Sequence, residues 1–372
     1  MALNCGIVGL PNVGKSTIFS ALCSTPAEAA NYPFSTIVPN IGIVDVPDER
    51  LTKLSRIFNP KKTIPATVEF VDISGLKKGS SEGEGLGNQF LSHIRNVGVI
   101  AHIVRCFDDP NVIHVSDFLD PASDIETINI ELALADLQTV AKRRERAEKQ
   151  LKNPAEKKEV QTVICALDKI TCALENARPV RTVDLTDDEK ADVYDCHFIT
   201  GKPQLYVCNV DEKSMKAVTA GSDTPCVAAI KKQAAAENCP AVVICGKFEA
   251  ELIGLDDDEE KQAFLEELGL KQPALSSLIH AAYDLLGLRT FFTTGEDECR
   301  AWTIKAGDTA PKAARAIHSD FEKGFIKAEV YTCDDIFQYG TEAKIKEAGK
   351  YRLEGREYIV KDGDVMFFKF NV

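Results

Sequence analysis

Gly9-Leu10-Pro11-Asn12-Val13-Gly14-Lys15-Ser16 is the stretch that decides the fold. It fits G-x-x-x-x-G-K-[ST], and its surroundings give that pattern meaning. The short apolar run Leu3–Val8 precedes it, and Ile18, Ala21 and Leu22 follow at helical spacing. A strand, a glycine-rich turn and a helix in that order form the phosphate-binding unit of an α/β nucleotide-binding domain. The glycines let backbone N–H groups wrap phosphate oxygens, and the helix N-terminus adds a favourable partial charge. Lys15 is expected to bridge the β- and γ-phosphates, and the Ser16 hydroxyl to ligate Mg²⁺. Asn12, Val13, Gly14, Lys15, Ser16 and Thr17 are the nucleotide contacts in this reading.

A second motif agrees with the first. Val68–Val71 reads as a strand and runs into Asp72-Ile73-Ser74-Gly75, a D-x-x-G pattern. The Asp72 carboxylate would hold the metal shell and the Gly75 N–H would meet the γ-phosphate. Thr36 lies between the two motifs, where it could close over the metal. The residue after Gly75 is Leu76, which has no donor or acceptor. It cannot orient the attacking water as a glutamine does in Ras-like enzymes.

The base-reading pattern is altered. Guanine is usually read by N-K-x-D after a strand. Here the apolar strand Gln204–Cys208 leads into Asn209-Val210-Asp211-Glu212. Val210 replaces the lysine and Glu212 the aspartate, so the fork that accepts from two guanine N–H groups is misplaced. Loss of that contact erases much of the guanine preference and favours ATP. Cys245-Gly246-Lys247, after the strand Ala241–Ile244, would be the second base loop.

Outward from these motifs the chain divides into three. Further buried-strand runs are Thr67–Val71 and Val99–Arg105. From about Ser123 the period changes: Ile125, Ile128, Leu132 and Ala135, then Val160, Val163, Leu167, Ile170 and Leu174, mark two amphipathic helices joined near Asn153–Pro154. Thr186 and Glu189 form a capping box for a third helix. Strand patterning resumes at Gln204, so the helices are inserted within the nucleotide-binding domain. From about Leu285 a small α+β module follows. It has a strand at Ala301–Ile304, a helix opened by Thr309-Ala310-Pro311, and a hairpin signal at Asp362–Gly363 between Tyr358–Lys361 and Val365–Phe370. The expected domains are 1–122 with 199–284, 123–198, and 285–372.

Composition narrows the setting. No apolar run approaches the ~20 residues needed to cross a bilayer, and a phosphate loop starting at Gly9 leaves no room for a targeting peptide. The cytoplasm is therefore the expected location, with neither membrane nor DNA as a partner. The net charge of −13 argues against nonspecific coating of nucleic acid. Lys142–Glu159 runs against that average, with eight basic and four acidic side chains. This projecting stretch is either a solvated coiled-coil face or a contact for RNA phosphates. The 12 cysteines are scattered without C-x-x-C spacing, so buried thiols are expected rather than a zinc site, with one exposed redox-active thiol as the alternative.

Several strings in order resemble the YchF-type Obg-like ATPases, a branch of the translation-factor GTPases. They are Gly6–Thr17, Tyr32–Asn40, Val71–Leu76, Gly83–Leu91, Arg105–Phe107, Arg300–Ile304, Asp320–Ile326 and Tyr358–Val365. The resemblance runs to Val372. It implies a Ras-like P-loop domain, an inserted helical coiled-coil domain and a C-terminal ubiquitin-like TGS domain. It also implies slow ATP hydrolysis, GTP as a poorer substrate, and association with the ribosome and its RNA. The family's hydrophobic substitute for the catalytic glutamine matches Leu76, and the histidine thought to replace that glutamine matches His114. Asn12 matches the P-loop asparagine of K⁺-dependent relatives, and Phe107 and Asn209 match adenine-contacting positions. Asp211 and Cys245–Gly246 depart from the family's usual serine or alanine. A GTPase of the same architecture, or a nucleotide-gated adaptor for ribosome or RNA, remains the alternative.

Overall fold

The computed structural model of the chain describes residues 3–24, 40–73, 86–109, 119–151 and 157–371. In chain order the first strands are β1 (Asn4–Val8), β2 (Asn40–Asp45), β3 (Lys62–Ile64), β4 (Thr67–Asp72), β5 (Val99–Cys106), β6 (Gln204–Val210) and β7 (Ala241–Ile244). The later ones are β8 (Leu288–Thr293), β9 (Glu298–Lys305), β10 (Phe325–Thr332), β11 (Arg352–Glu354) and β12 (Asp364–Phe370). Two compact units emerge. One holds the described residues up to 42 together with 69–278, and the other holds 43–68 with 279–371.

The first unit is built on a sheet of order β2-β4-β1-β5-β6-β7. β1 pairs parallel with β4 and β5, β5 with β6, and β6 with β7. Every residue of β5 and β6 is buried, His102, Arg105, Gln204 and Asn209 included, as in central strands covered on both faces. Because β1, β4, β5, β6 and β7 run the same way, their C-terminal ends lie at one rim. That rim therefore collects the turn after Val8, Asp72, Phe107, Asp211 and Cys245, the usual ligand edge of an open α/β sheet.

The helical insertion begins at Pro121, two residues before the periodicity suggests. Asp120 caps it, accepting from the N–H groups of Ala122 and Ser123 at 3.2 Å each, and proline occupies the first turn. Helix Pro121–Gln150 packs on helix Lys157–Glu175 through Val140, Ala147, Val163, Leu167 and Ile170. The capping box of Thr186 and Glu189 opens helix Asp187–Asp192, as its spacing predicts. Buried Asp136 then fastens the insertion where the chain returns to the sheet. Its carboxylate accepts from the N–H groups of Ile199 (2.9 Å) and Thr200 (2.8 Å) and from the Thr200 hydroxyl (2.7 Å).

In the second unit β8 and β9 form an antiparallel hairpin, followed by helix Ala310–Ile317. The sheet order is β11-β10-β12-β8-β9-β3, with β12 parallel to β8. Ala310, Ala313 and Ala314 lay the helix on Phe291, Val330, Met366 and Phe368. This is the ubiquitin-like arrangement.

The hairpin expected at Asp362–Gly363 does not form. Tyr358–Lys361 is not a strand, and β12 pairs with β10 and β8 instead. The Asp362 side chain is engaged at long range, accepting from Thr290 N–H at 2.8 Å and from Arg50 at 2.5 Å. Asp364 accepts from Lys361 N–H at 2.9 Å, turning the chain locally. Side-chain bonds thus replace the ladder that the dipeptide advertised.

The cysteines divide. Cys5, Cys106, Cys196, Cys208, Cys245, Cys299 and Cys333 are buried as expected, whereas Cys23, Cys165 and Cys172 are exposed. Among the described residues no group of His, Cys, Asp and Glu could hold a metal on its own.

Candidate nucleotide site at the rim of the parallel sheet

The turn after β1 is shaped by contacts that exclude side chains. A β-carbon on Gly9 would lie 2.8 Å from Val13 and 2.9 Å from the Ile103 carbonyl oxygen. Asn12 and Gly14 both take positive φ, 62° and 89°. Gly14 then serves as N-cap of helix Lys15–Cys23 without offering a side-chain acceptor. The first N–H groups of that helix are left to an external acceptor, and the helix dipole favours a negative one. Ser16 and Thr17 are exposed on this first turn, while Ile18, Ala21 and Leu22 bury its other face.

Lys15 and Asp72 meet directly. The Lys15 ammonium forms a short ion pair with Asp72 Oδ1, and both side chains are mostly buried, 11% and 15% exposed. Parallel register sets Asp72 opposite Ile7 on β1, so the carboxylate arrives beside the base of the turn. The pair neutralises two charges that would be costly to bury singly. An incoming anion that drew the ammonium away would leave a carboxylate facing the same space.

Asn209, at the end of β6, is buried and bridges two loops. Its Nδ2 donates to the Val13 carbonyl at 2.8 Å, and its Oδ1 accepts from Gly246 N–H at 2.9 Å. The turn after β1 and the turn after β7 are thereby locked to one side chain. Val210 is buried at the strand end. Asp211 caps helix Glu212–Thr219, accepting from Ser214 N–H at 2.7 Å. Glu212 and Lys247 meet at 3.3 Å, and this bond raises the pKa of the lysine. The sequence places Lys247 in the second base loop, but its pairing with Glu212 was not foreseen. The signal was available, since opposite charges stand in the two segments assigned to base recognition.

Phe107 follows β5 and is partly exposed. The buried Arg105 guanidinium lies over its ring at 4.5 Å and donates to the Phe107 carbonyl at 3.1 Å. One ring face is thus fixed by a cation. Cys245 is buried, and burial pushes its thiol up to about 11, so it is a packing residue. Gly246 has little room: a β-carbon there would lie 3.0 Å from Ile18 and 3.2 Å from Asn209 Oδ1. Thr36, Gly75, Leu76 and His114 lie outside the described residues.

Comparison with known proteins gives the family of the chain. Across all 372 residues the chain is 53% identical to the ribosome-binding ATPase YchF of Bacillus subtilis, covering 100% of both. It is 50% identical to the protein of the same name from Haemophilus ducreyi, again over 100% of both. The chain belongs to the YchF family. Residues 288–371 match the YchF-type GTPase C-terminal family, described as a protein of unknown function, and residues 4–169 match the 50S ribosome-binding GTPase family. The solved YchF GTPase of Schizosaccharomyces pombe superposes with a TM-score of 0.85 at 37% identity, covering 99% of this chain and 97% of that one. The YchF fold is thus a Ras-like P-loop domain with a helical insertion and a C-terminal ubiquitin-like domain, and its P-loop class binds nucleotide.

Proposed function

We propose that this YchF-family protein is a ribosome-binding ATPase of the cytoplasm that hydrolyses ATP slowly. The observation that carries the reading is the Lys15–Asp72 pair at the mouth of a glycine-shaped turn whose helix N–H groups have no side-chain cap. The names of the relatives from Bacillus subtilis and Haemophilus ducreyi support the ribosome and ATP.

In this reading the turn 9–14 and the first helical N–H groups cradle the phosphates. Lys15 moves from Asp72 to the β- and γ-phosphates. Asp72, the Ser16 hydroxyl and Thr36 form an all-oxygen donor set suited to a hard cation. Mg²⁺ bound there would neutralise charge on the phosphates. Asn12 is the candidate for K⁺. Gly75 would donate to the γ-phosphate and His114 would position water, since Leu76 cannot.

For base selection we infer that Asn209, Val210, Cys245 and Gly246 form the floor. Phe107 offers its open face to the ring, and Glu212 reads the base edge. Glu212 carries one more methylene than the aspartate of guanine readers and is drawn toward Lys247, which supports ATP over GTP. A GTPase reading is favoured by the description of the Schizosaccharomyces pombe relative as a GTPase.

Titration with fluorescent ATP and GTP in Mg²⁺ and K⁺, with turnover measured with and without ribosomes, tests the proposal. Several-fold tighter ATP binding and ribosome-stimulated turnover are expected. Tighter GTP binding would make the chain a GTPase, and turnover indifferent to ribosomes would remove the ribosome from the mechanism.

A further inference from the structure

Helix Leu86–Arg95 and the first hairpin helix, Pro121–Gln150, line a cavity of about 400 Å³. Arg95, Lys142, Arg143 and Arg146 face it, and Asp195 is its one acidic residue among the described residues. In a chain of net charge −13 this concentrates the opposite sign in one place.

The two inner arginines are held in position. Arg95 Nη2 donates to the Thr139 hydroxyl at 2.9 Å, and the Lys202 ammonium donates to the Arg95 carbonyl at 3.0 Å. Arg143 reaches Asp195 Oδ2 at 3.4 Å and the Asp192 carbonyl at 3.5 Å. These long contacts orient the guanidinium at the cavity wall. Lys142 and Arg146 are exposed and four residues apart, so their charges repeat about 6 Å along one helix face. Next to Asp195 in the chain, Tyr194 is 61% exposed and lines a second cavity that shares Arg95 with this one; its ring meets His197 edge-on at 5.6 Å.

We propose that this cavity binds phosphates of an RNA strand, a site that deepens the ribosome-binding reading and rests on it. Arg95 and Arg143 are fixed forks for the oxygens of one phosphate. Lys142 and Arg146 follow neighbouring phosphates, a row longer than a single small anion needs. Tyr194 supplies an exposed ring on which an unpaired base can stack. Three cations of the basic run at Lys142–Glu159 thus act here, together with Arg95 from a different helix.

The test uses the full chain and a labelled single-stranded RNA of mixed sequence. Lys142→Gln with Arg146→Gln changes two exposed residues outside the nucleotide site, so basal nucleotide hydrolysis serves as the folding control. Lys149→Gln with Lys231→Gln removes the same charge outside the cavity. The cavity variant should bind RNA about tenfold more weakly, with a salt slope smaller by about 1.4 for two lost contacts. Tyr194→Ala should weaken binding by about fivefold or more.

Wild-type affinity in the cavity variant, or an equal loss in the charge-matched control, would overturn the site. So would cavity-dependent binding of inorganic tripolyphosphate without RNA binding, which would assign the pocket to a free phosphorylated ligand. Ribosome co-sedimentation separates the two levels of inference. A wild-type chain that does not sediment with ribosomes ends the ribosome reading. A cavity variant that sediments like the wild type ends only this site.

Discussion

Asn209 lies so close to Gly14 that a β-carbon on the glycine would stand 2.1 Å from the amide nitrogen of the asparagine. The same amide holds the Val13 carbonyl and the Gly246 N–H. The phosphate turn and the base loop are therefore one construction, with a buried side chain as its joint. Asn209→Ala should lose about 1–3 kcal/mol of stability by stranding two buried backbone groups. It should weaken ATP binding by about tenfold or more. Gly14→Ala adds strain at φ 89° to the clash and should be worse. Urea unfolding and nucleotide titration on the same preparations check both.

Lys15 carries a different burden. Its partner Asp72 is mostly buried, so Lys15→Ala leaves a carboxylate without its closest cation as well as removing a phosphate ligand. Turnover should fall about 10²-fold or more, the scale of losing one preorganised donor. Asp72→Asn should reduce turnover and its Mg²⁺ dependence while disturbing the turn less. Rates across a Mg²⁺ titration distinguish the two. A Lys15→Ala enzyme with unchanged turnover would refute the phosphate role.

Glu212 and Lys247 bear on the choice of base. Glu212→Asp shortens the carboxylate toward the guanine-reading length and should move preference from ATP toward GTP. Lys247→Ala frees Glu212 and should change the ATP-to-GTP affinity ratio with little effect on stability, since solvent screens an exposed pair of this kind. Paired titrations with the two nucleotides read the ratio. An unchanged ratio in both variants would exclude Glu212 from base reading.

Glu249 sets a pH dependence of folding. Its carboxyl is buried in helix Gly246–Ile253 and accepts from Ala274 N–H at 2.7 Å, and burial raises its pKa from 4.5 to about 7. The folded state therefore holds this proton more tightly than the unfolded chain. The stabilisation is complete below pH 4.5 and is lost as pH rises through about 7. Relative to wild type, Glu249→Gln should flatten that decline and gain stability above pH 7, by at most about 3 kcal/mol. Urea midpoints between pH 5 and 8 measure it. Parallel pH profiles for the two proteins would show that Glu249 does not titrate in this window.

Much of the fold was legible because its signals are local. The runs at Thr67, Val99, Gln204 and Ala241 became parallel strands. The period at Ile125–Ala135 became a long helix, and Thr186 with Glu189 capped a short one. The strand Lys62–Ile64 carried no such signal, because its pairing partner is β9, more than two hundred residues away. The grouping of 43–68 with 279–371 was equally silent. Asp362–Gly363 misled because a dipeptide cannot reveal that Arg50 and Thr290 will claim its side chain.

By itself the sequence determined the strand–turn–helix at Gly9–Ser16, the altered base-reading segment and the family, since each depends on residue type at fixed spacing. Tertiary structure alone decided which groups touch. Lys15 rests on Asp72, Asn209 joins Val13 to Gly246, Glu212 meets Lys247, and Arg95 shares a cavity with Arg143. Those pairings follow from the parallel register of strands and the packing of helices far apart in the chain. Chain neighbours fix a local conformation, but only the folded sheet brings distant strand ends to one rim.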